Sequence, residues 1–134
     1  MNDRYLYRAK RKNCRGLTKE MWWVEGYLYG ICERRYILWG MTNDVPNMVE
    51  VDPSTICQCT SLKDKNGKLI WENDIVNCFE AECCGKISWN ESEAGFYFDV
   101  LLEDGAYEEE HIYDYVDCMD VIGNIFDNPE LLEK

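Results

Sequence analysis

Histidine is nearly absent from this chain: its 134 residues include one, His111, together with three prolines and four phenylalanines. A single imidazole leaves no His pair for a zinc site, and it offers one candidate base for nucleophilic catalysis. No Gly-rich loop opens a helix, and neither a Walker sequence nor a metalloprotease helix motif occurs, which removes the common phosphate-binding and zincin signatures. Long apolar runs are also missing, so no segment reads as a membrane-spanning helix. The start, Met1-Asn2-Asp3-Arg4-Tyr5-Leu6-Tyr7, lacks the charged, apolar and small-residue regions of a secretory signal. A cytoplasmic protein with no membrane contact is the expectation.

Basic charge is scarce in one half of the chain. Residues 70 to 134 hold eighteen acidic and two basic side chains, a net of −16. Residues 1 to 19 reverse the balance, with Arg4, Arg8, Lys10, Arg11, Lys12, Arg15 and Lys19 against Asp3 alone. Such a basic arm, with Arg8, Lys10, Arg11, Lys12 and Arg15 as its candidate binding residues, can neutralise phosphates. The plainer alternative makes these solvated turn residues that pair with acidic groups of the same molecule or a neighbour.

Cysteine, by contrast, is abundant, with eight residues. Without a secretory signal these are expected as reduced thiols that pack like small hydrophobes. Cys57-x-Cys59 and the cluster Cys78, Cys83, Cys84 lack zinc-knuckle spacing, so no metal and no cofactor is expected.

Most of the chain reads as short strands between turns, rich in Tyr, Trp, Ile and Val. Candidate strands are residues 5–9, 22–29, 35–39, 48–51, 56–60, 75–79, 86–89, 96–102, 111–113 and 119–125. Asn66-Gly67 between two apolar runs predicts a hairpin with a type I′ turn, which needs positive φ at both central residues. A composition break after Leu62 suggests two intimately packed β lobes within one domain, an aromatic lobe over 1–62 and an acidic lobe over 63–134. From Asn73-Asp74-Ile75-Val76 onward the meander pattern is that of a small SH3-like barrel. Asn128-Pro129 with Glu130 and Glu133 predicts a short C-terminal helical turn.

Three blocks then carry a family likeness. Trp23-Val24-Glu25-Gly26-Tyr27, the stretch from Val51-Asp52-Pro53-Ser54-Thr55-Ile56 through Leu62-Lys63-Asp64-Lys65-Asn66-Gly67-Lys68, and Val121-Ile122-Gly123-Asn124-Ile125-Phe126-Asp127-Asn128-Pro129-Glu130-Leu131-Leu132 together resemble the YopX family of phage and prophage proteins. Where that family usually has Glu-Gly-Asp-Ile, this chain has Glu72-Asn73-Asp74-Ile75. Asn is the non-glycine residue best suited to left-handed backbone, so Asn73 is expected in a turn. The resemblance implies a mainly β protein acting inside a bacterial host, and it carries over no catalytic residue.

Enzyme chemistry has thin support. His111 follows Glu108-Glu109-Glu110 and reads as a surface strand residue, and a hydrolase built on Glu72 and Asp74 would need the two to share a pocket with raised pKa values. Aromatics are more informative. Trp22, Trp23, Tyr27, Tyr29, Tyr36 and Trp39 concentrate early in the chain, and alternation puts Trp23, Tyr27 and Tyr29 on one strand face with Trp22 and Leu28 on the other. Sheet core accounts for part of this set; the remainder forms a candidate interface or recognition groove. The leading expectation is therefore a non-enzymatic binding or assembly protein that self-associates, or binds a host or phage protein. Two alternatives stay open: an acidic nucleic-acid mimic that inhibits a host DNA- or RNA-acting enzyme, and nucleic-acid binding through the basic arm.

Overall fold

The computed structural model of the chain describes residues 5–79 and 82–133. Asp3, Arg4, Glu80 and Lys134, which enter the charge counts above, lie outside them. The protein is mainly β, with eleven strands: β1 Tyr7–Lys10, β2 Trp23–Ile31, β3 Arg34–Thr42, β4 Val45–Val51, β5 Cys57–Lys63, β6 Leu69–Trp71, β7 Asp74–Cys78, β8 Cys83–Asn90, β9 Gly95–Leu101, β10 Tyr107–His111 and β11 Asp120–Asn124. The strand expectations locate nine of these; β6 was not anticipated, and the strand expected at residues 111–113 is instead the last residue of β10, which runs from Tyr107, followed by a 3₁₀ turn. Among the described residues no helix is long and apolar enough to cross a membrane.

Two compact units divide the chain at Cys59 and Thr60, close to the composition break, and β5 runs from the first into the second. Their net charges are +2 and −14.

In the first unit β1 is an interior strand. It pairs with β2 from Tyr7↔Gly26 to Lys10↔Trp23, and with β5 through Tyr7↔Gln58 and Arg8↔Cys57. Hairpins then add β3 and β4, giving the order β4-β3-β2-β1-β5; β6, the next neighbour of β5, belongs to the second unit. The end of β4 returns to the end of β1: Arg11 bridges Val51, Lys12 N–H donates to the Glu50 carbonyl at 3.0 Å, and Asp52 N–H donates to the Lys10 carbonyl at 2.9 Å. This contact curls the sheet around Ala9, Val24, Ile37 and Val51, against which Tyr7, Leu28, Val49 and Ile56 pack. Gly26 permits the curl, because a Cβ there would stand 2.1 Å from the Leu38 carbonyl oxygen. The glycine of the Trp-Val-Glu-Gly-Tyr block is thus a close-approach residue.

In the second unit β10-β9-β8-β7-β11 form a five-stranded antiparallel sheet. Its core is Ile70, Val76, Cys78, Ile87, Phe98, Ile112 and Met119. Each such fully buried side chain contributes roughly 1.5–3 kcal/mol by leaving water. The sheet does not close: β10 and β11 are its two edges, so the expected SH3-like barrel is not formed. At the C-terminus Pro129–Leu132 make a 3₁₀ turn and no α-helix. The Asn128 side chain is committed elsewhere, its Oδ1 accepting from Asn124 N–H at 3.2 Å.

The Asn66-Gly67 hairpin is present between β5 and β6, but its turn differs from the expectation. Gly67 has φ +81° while Asn66 is not in the positive region. Gly67 N–H donates to the Asp64 carbonyl and Asp64 N–H to the Lys68 carbonyl, the pattern of a type I turn followed by a left-handed glycine. The I′ conformation occurs instead at Asn43-Asp44, with φ 51° and 65°, where Thr42 pairs with Val45. Asn73 is left-handed as expected, with φ 71°.

The reason for the altered turn is Asp64, which is 6% exposed. Its Oδ1 accepts from Asn66 N–H and Lys68 N–H, each at 2.9 Å, and its Oδ2 accepts from Val121 N–H at 3.1 Å. Asn66 Nδ2 reaches Asp120 Oδ1 at 2.9 Å, and Lys65 N–H donates to the Met119 carbonyl at 3.0 Å. One carboxylate therefore organises a turn and fastens it to the start of β11. Burial works to raise the Asp64 pKa, but the three backbone N–H groups and the Lys68 charge outweigh it and leave the group below the ordinary carboxylate range.

Replacing Asp64 with Ala is expected to cost roughly 2–4 kcal/mol near neutral pH, because three backbone donors lose their acceptor. A depressed folded pKa stabilises the fold above the unfolded value and is lost as pH falls through the folded value. The stability gap between wild type and Asp64→Ala, measured by urea unfolding, should accordingly narrow as pH falls through the ordinary carboxylate range and on through the lower folded value.

Candidate functional site

The outward face of β2, β3 and β4 follows from strand register. Tyr27 stands opposite Leu38, Tyr29 opposite Tyr36 and Ile31 opposite Arg34, while Leu38 and Tyr36 in turn oppose Met48 and Glu50. Opposed residues share a sheet face, so these side chains form one continuous surface. Leu28 and Ile37 point the other way, into the core. Tyr27 is 40% exposed, Tyr29 45%, Ile31 51% and Met48 44%. The Tyr29 and Tyr36 rings lie 6.2 Å apart at 47°. A hydrogen bond with the Tyr36 side chain, then the Glu50 charge, raises the Arg34 pKa, so the guanidinium is a fixed positive point on this face.

β1 extends the same face. Arg8 and Lys10 oppose Glu25 and Trp23, whereas Ala9 opposes Val24 on the core side. Arg8 Cζ lies 5.0 Å from the Trp23 ring centroid, and Lys10 Nζ lies 5.2 Å from Trp22 and 5.6 Å from Trp23. Lys19 Nζ stands over the same Trp22 ring at 6.0 Å, and Arg11 Cζ over Trp39 at 5.9 Å. Trp22 itself is anchored by its indole N–H donating to the Leu17 carbonyl at 3.2 Å. Cations and indoles therefore alternate in a stack, each pair contributing about 0.5–1 kcal/mol at a partly exposed site.

Of the six expected aromatics, the structure brings Trp23, Tyr27, Tyr29 and Tyr36 together on the outer face. Trp22 precedes β2 under its two lysines, and Trp39 occupies the irregularity between Leu38 and Gly40 in β3, 45% exposed. The basic residues do not form a free arm. Arg8 and Lys10 belong to an interior strand, Arg11 continues it, Lys12 pairs with Glu50 at 3.1 Å, and Arg15 lies in an exposed turn where its N–H donates to Asn13 Oδ1. Ile31, Leu38 and Met48 were missed as members of the face. The signal for Leu38 and Met48 lay in the alternation on either side of Asn43-Asp44, a turn pair weaker than Asn-Gly, and that for Ile31 in the alternation continuing past Tyr29.

The enzyme candidates fall out differently. Asp74 is 1% exposed and its Oδ2 accepts from Trp71 N–H at 2.8 Å, which is a turn-closing role. His111 ends β10, exposed, with its ring 5.1 Å from that of Tyr97. Register sets Ser88, Tyr97 and His111 in one row across β8, β9 and β10, next to the row of Lys86, Asp99 and Glu109. Burial raises the Asp99 pKa against the opposing pull of a Ser88 hydrogen bond and the Lys86 charge. Cys57 and Cys59 are fully buried in β5, and among the described residues no three His, Cys, Asp or Glu side chains are grouped to hold a metal ion.

Fold and surface together define a mainly β protein of two units that displays an aromatic and cationic sheet face. Residues 6–133 match the YopX protein family, nearly the whole chain, and the chain belongs to that family. A comparison with curated proteins yields no match. Family membership suggests a phage-type protein and brings no assigned activity.

Lys10→Ala should remove two ring contacts and lower stability by roughly 0.5–1.5 kcal/mol in urea unfolding followed by tryptophan fluorescence, with Lys10→Arg retaining most of it. Equal, negligible effects from both variants would show that the stack is mere adjacency.

Proposed function

We propose that this protein is a non-catalytic binding and assembly protein that associates with a second copy of itself through the outer face of β2, β3 and β4. The observation that carries this reading is the cluster of exposed Tyr27, Tyr29, Ile31 and Met48 on one side of an antiparallel sheet, where alternation ordinarily places polar residues. Contiguous exposed apolar surface of this kind marks interaction sites, and Tyr and Met are favoured at interface centres. The rim is self-complementary, with Glu25 toward one end of β2 and Arg34, beside Glu50, toward the other end of the same face. An isologous pair of such faces sets acid against base about a two-fold axis.

Sedimentation velocity tests it. Wild type is expected to dimerise at tens of micromolar protein, and Tyr29→Ser with Met48→Ser to weaken the dimer roughly ten- to a hundredfold without altering the circular dichroism spectrum. A wild-type chain that stays monomeric at about 100 μM would refute self-association.

The charge of the second unit favours a second reading, an acidic surface that imitates nucleic acid toward a host enzyme. Exposed Glu103, Asp104, Glu108, Glu109, Asp114 and Asp117 contribute to the unit's net −14. Closely spaced carboxylates present a field like that of a phosphate backbone. Immobilised protein should then retain a DNA- or RNA-acting enzyme from a bacterial lysate and release it to added duplex DNA. Recovery of no nucleic-acid-binding protein at low salt would sink the mimic.

A further inference from the structure

Three of the eight cysteines meet at one end of the second unit's sheet. The strand order there is β8-β7-β11, and each of the three adjacent strand ends supplies a thiol: Cys83 begins β8, Cys78 ends β7, and Cys118 lies two residues before β11. Cys83 stands directly opposite Cys78, and Asn77 beside it pairs with Asp120. Cys118 Sγ donates to the Tyr115 carbonyl at 3.0 Å, and Cys78 Sγ approaches the same oxygen at 3.9 Å. Cys78 is 1% exposed within the core, whereas Cys83 and Cys118 are half-buried.

We propose that Cys78 and Cys118 form a peroxide-sensitive dithiol, oxidised to a disulfide that fastens the end of β7 to the segment entering β11. Both sulfurs approach the one Tyr115 carbonyl oxygen, which already holds them as neighbours, as cross-linking needs. Burial, with added contributions from Cys118 and then Cys83, pushes the Cys78 pKa up to about 12, so this thiol is protonated at neutral pH. Oxidation therefore begins at the more accessible Cys118. Its sulfur attacks hydrogen peroxide, giving the sulfenic acid and one water. Cys78 then attacks the sulfenic sulfur; the S–S bond forms, the S–O bond breaks, and hydroxide leaves with the Cys78 proton as a second water. Two thiols lose two electrons and one peroxide becomes two waters.

The test is made on the full chain carrying Cys32→Ser, which removes an exposed thiol that would couple molecules together. After hydrogen peroxide treatment and alkylation, peptide mapping should show a Cys78–Cys118 cross-link that dithiothreitol reverses, accompanied by a higher unfolding temperature. Adding Cys118→Ala should abolish both the cross-link and the temperature rise, and Cys83→Ala should leave both in place. Neither change removes the buried core thiol, so folding is retained and can be checked by circular dichroism. Recovery of a Cys78–Cys83 pair, or oxidation of Cys118 beyond the sulfenic state with Cys78 still free, would overturn the proposal.

Discussion

The carboxylate of Asp64 takes three backbone N–H groups out of solvent at once, two from its own turn and one from Val121, fifty-seven residues away. A buried N–H without an acceptor costs as much as a lost hydrogen bond, so the second unit's turn and the entry to β11 form together or not at all. From that point the strand order follows. β11 is placed beside β7, β7 carries β8, and the meander continues outward to β10. The first unit solves the same problem without a side chain, through the return of residues 50–52 onto residues 10–12.

These two constraints produce surfaces of opposite character. Curling the first sheet over Ala9, Val24, Ile37 and Val51 uses one face for the core and turns Tyr27, Tyr29, Ile31 and Met48 outward. The cations of β1 then settle on the neighbouring indoles, where their stems cover apolar surface and their charges meet the ring faces. The second unit buries Cys78 with its aliphatics and, Asp64 and Asp74 apart, leaves most of its carboxylates toward water, among them Glu108 and Glu109 on the β10 edge, where like charge discourages pairing with another strand.

Local chemistry was readable where it needed one segment alone. Asn73 announced a left-handed turn because few other side chains tolerate that backbone, and alternation in Trp23 to Tyr29 correctly separated Trp23, Tyr27 and Tyr29 from Leu28. Reading failed where a distant partner intervened. The Asn66-Gly67 pair alone favours a type I′ turn, but the Asp64 carboxylate gathers Asn66 N–H and Lys68 N–H into a different one. Asn128 looked like a helix cap, yet its side-chain oxygen serves Asn124. Closure into a barrel was inferred from meander pattern, and pattern carries no information about whether the two end strands meet.

The amino-acid sequence alone determined that this is a mainly β chain of the YopX family with a basic beginning and an acidic second half, because side-chain alternation, turn residues and charge are local properties. Tertiary structure decided which face of the aromatic strands meets water, which cations stack on which indoles, and that Cys78, Cys83 and Cys118 share one sheet end. Those outcomes depend on register between strands far apart in the chain, and a shift of one residue would have exchanged every inside for an outside.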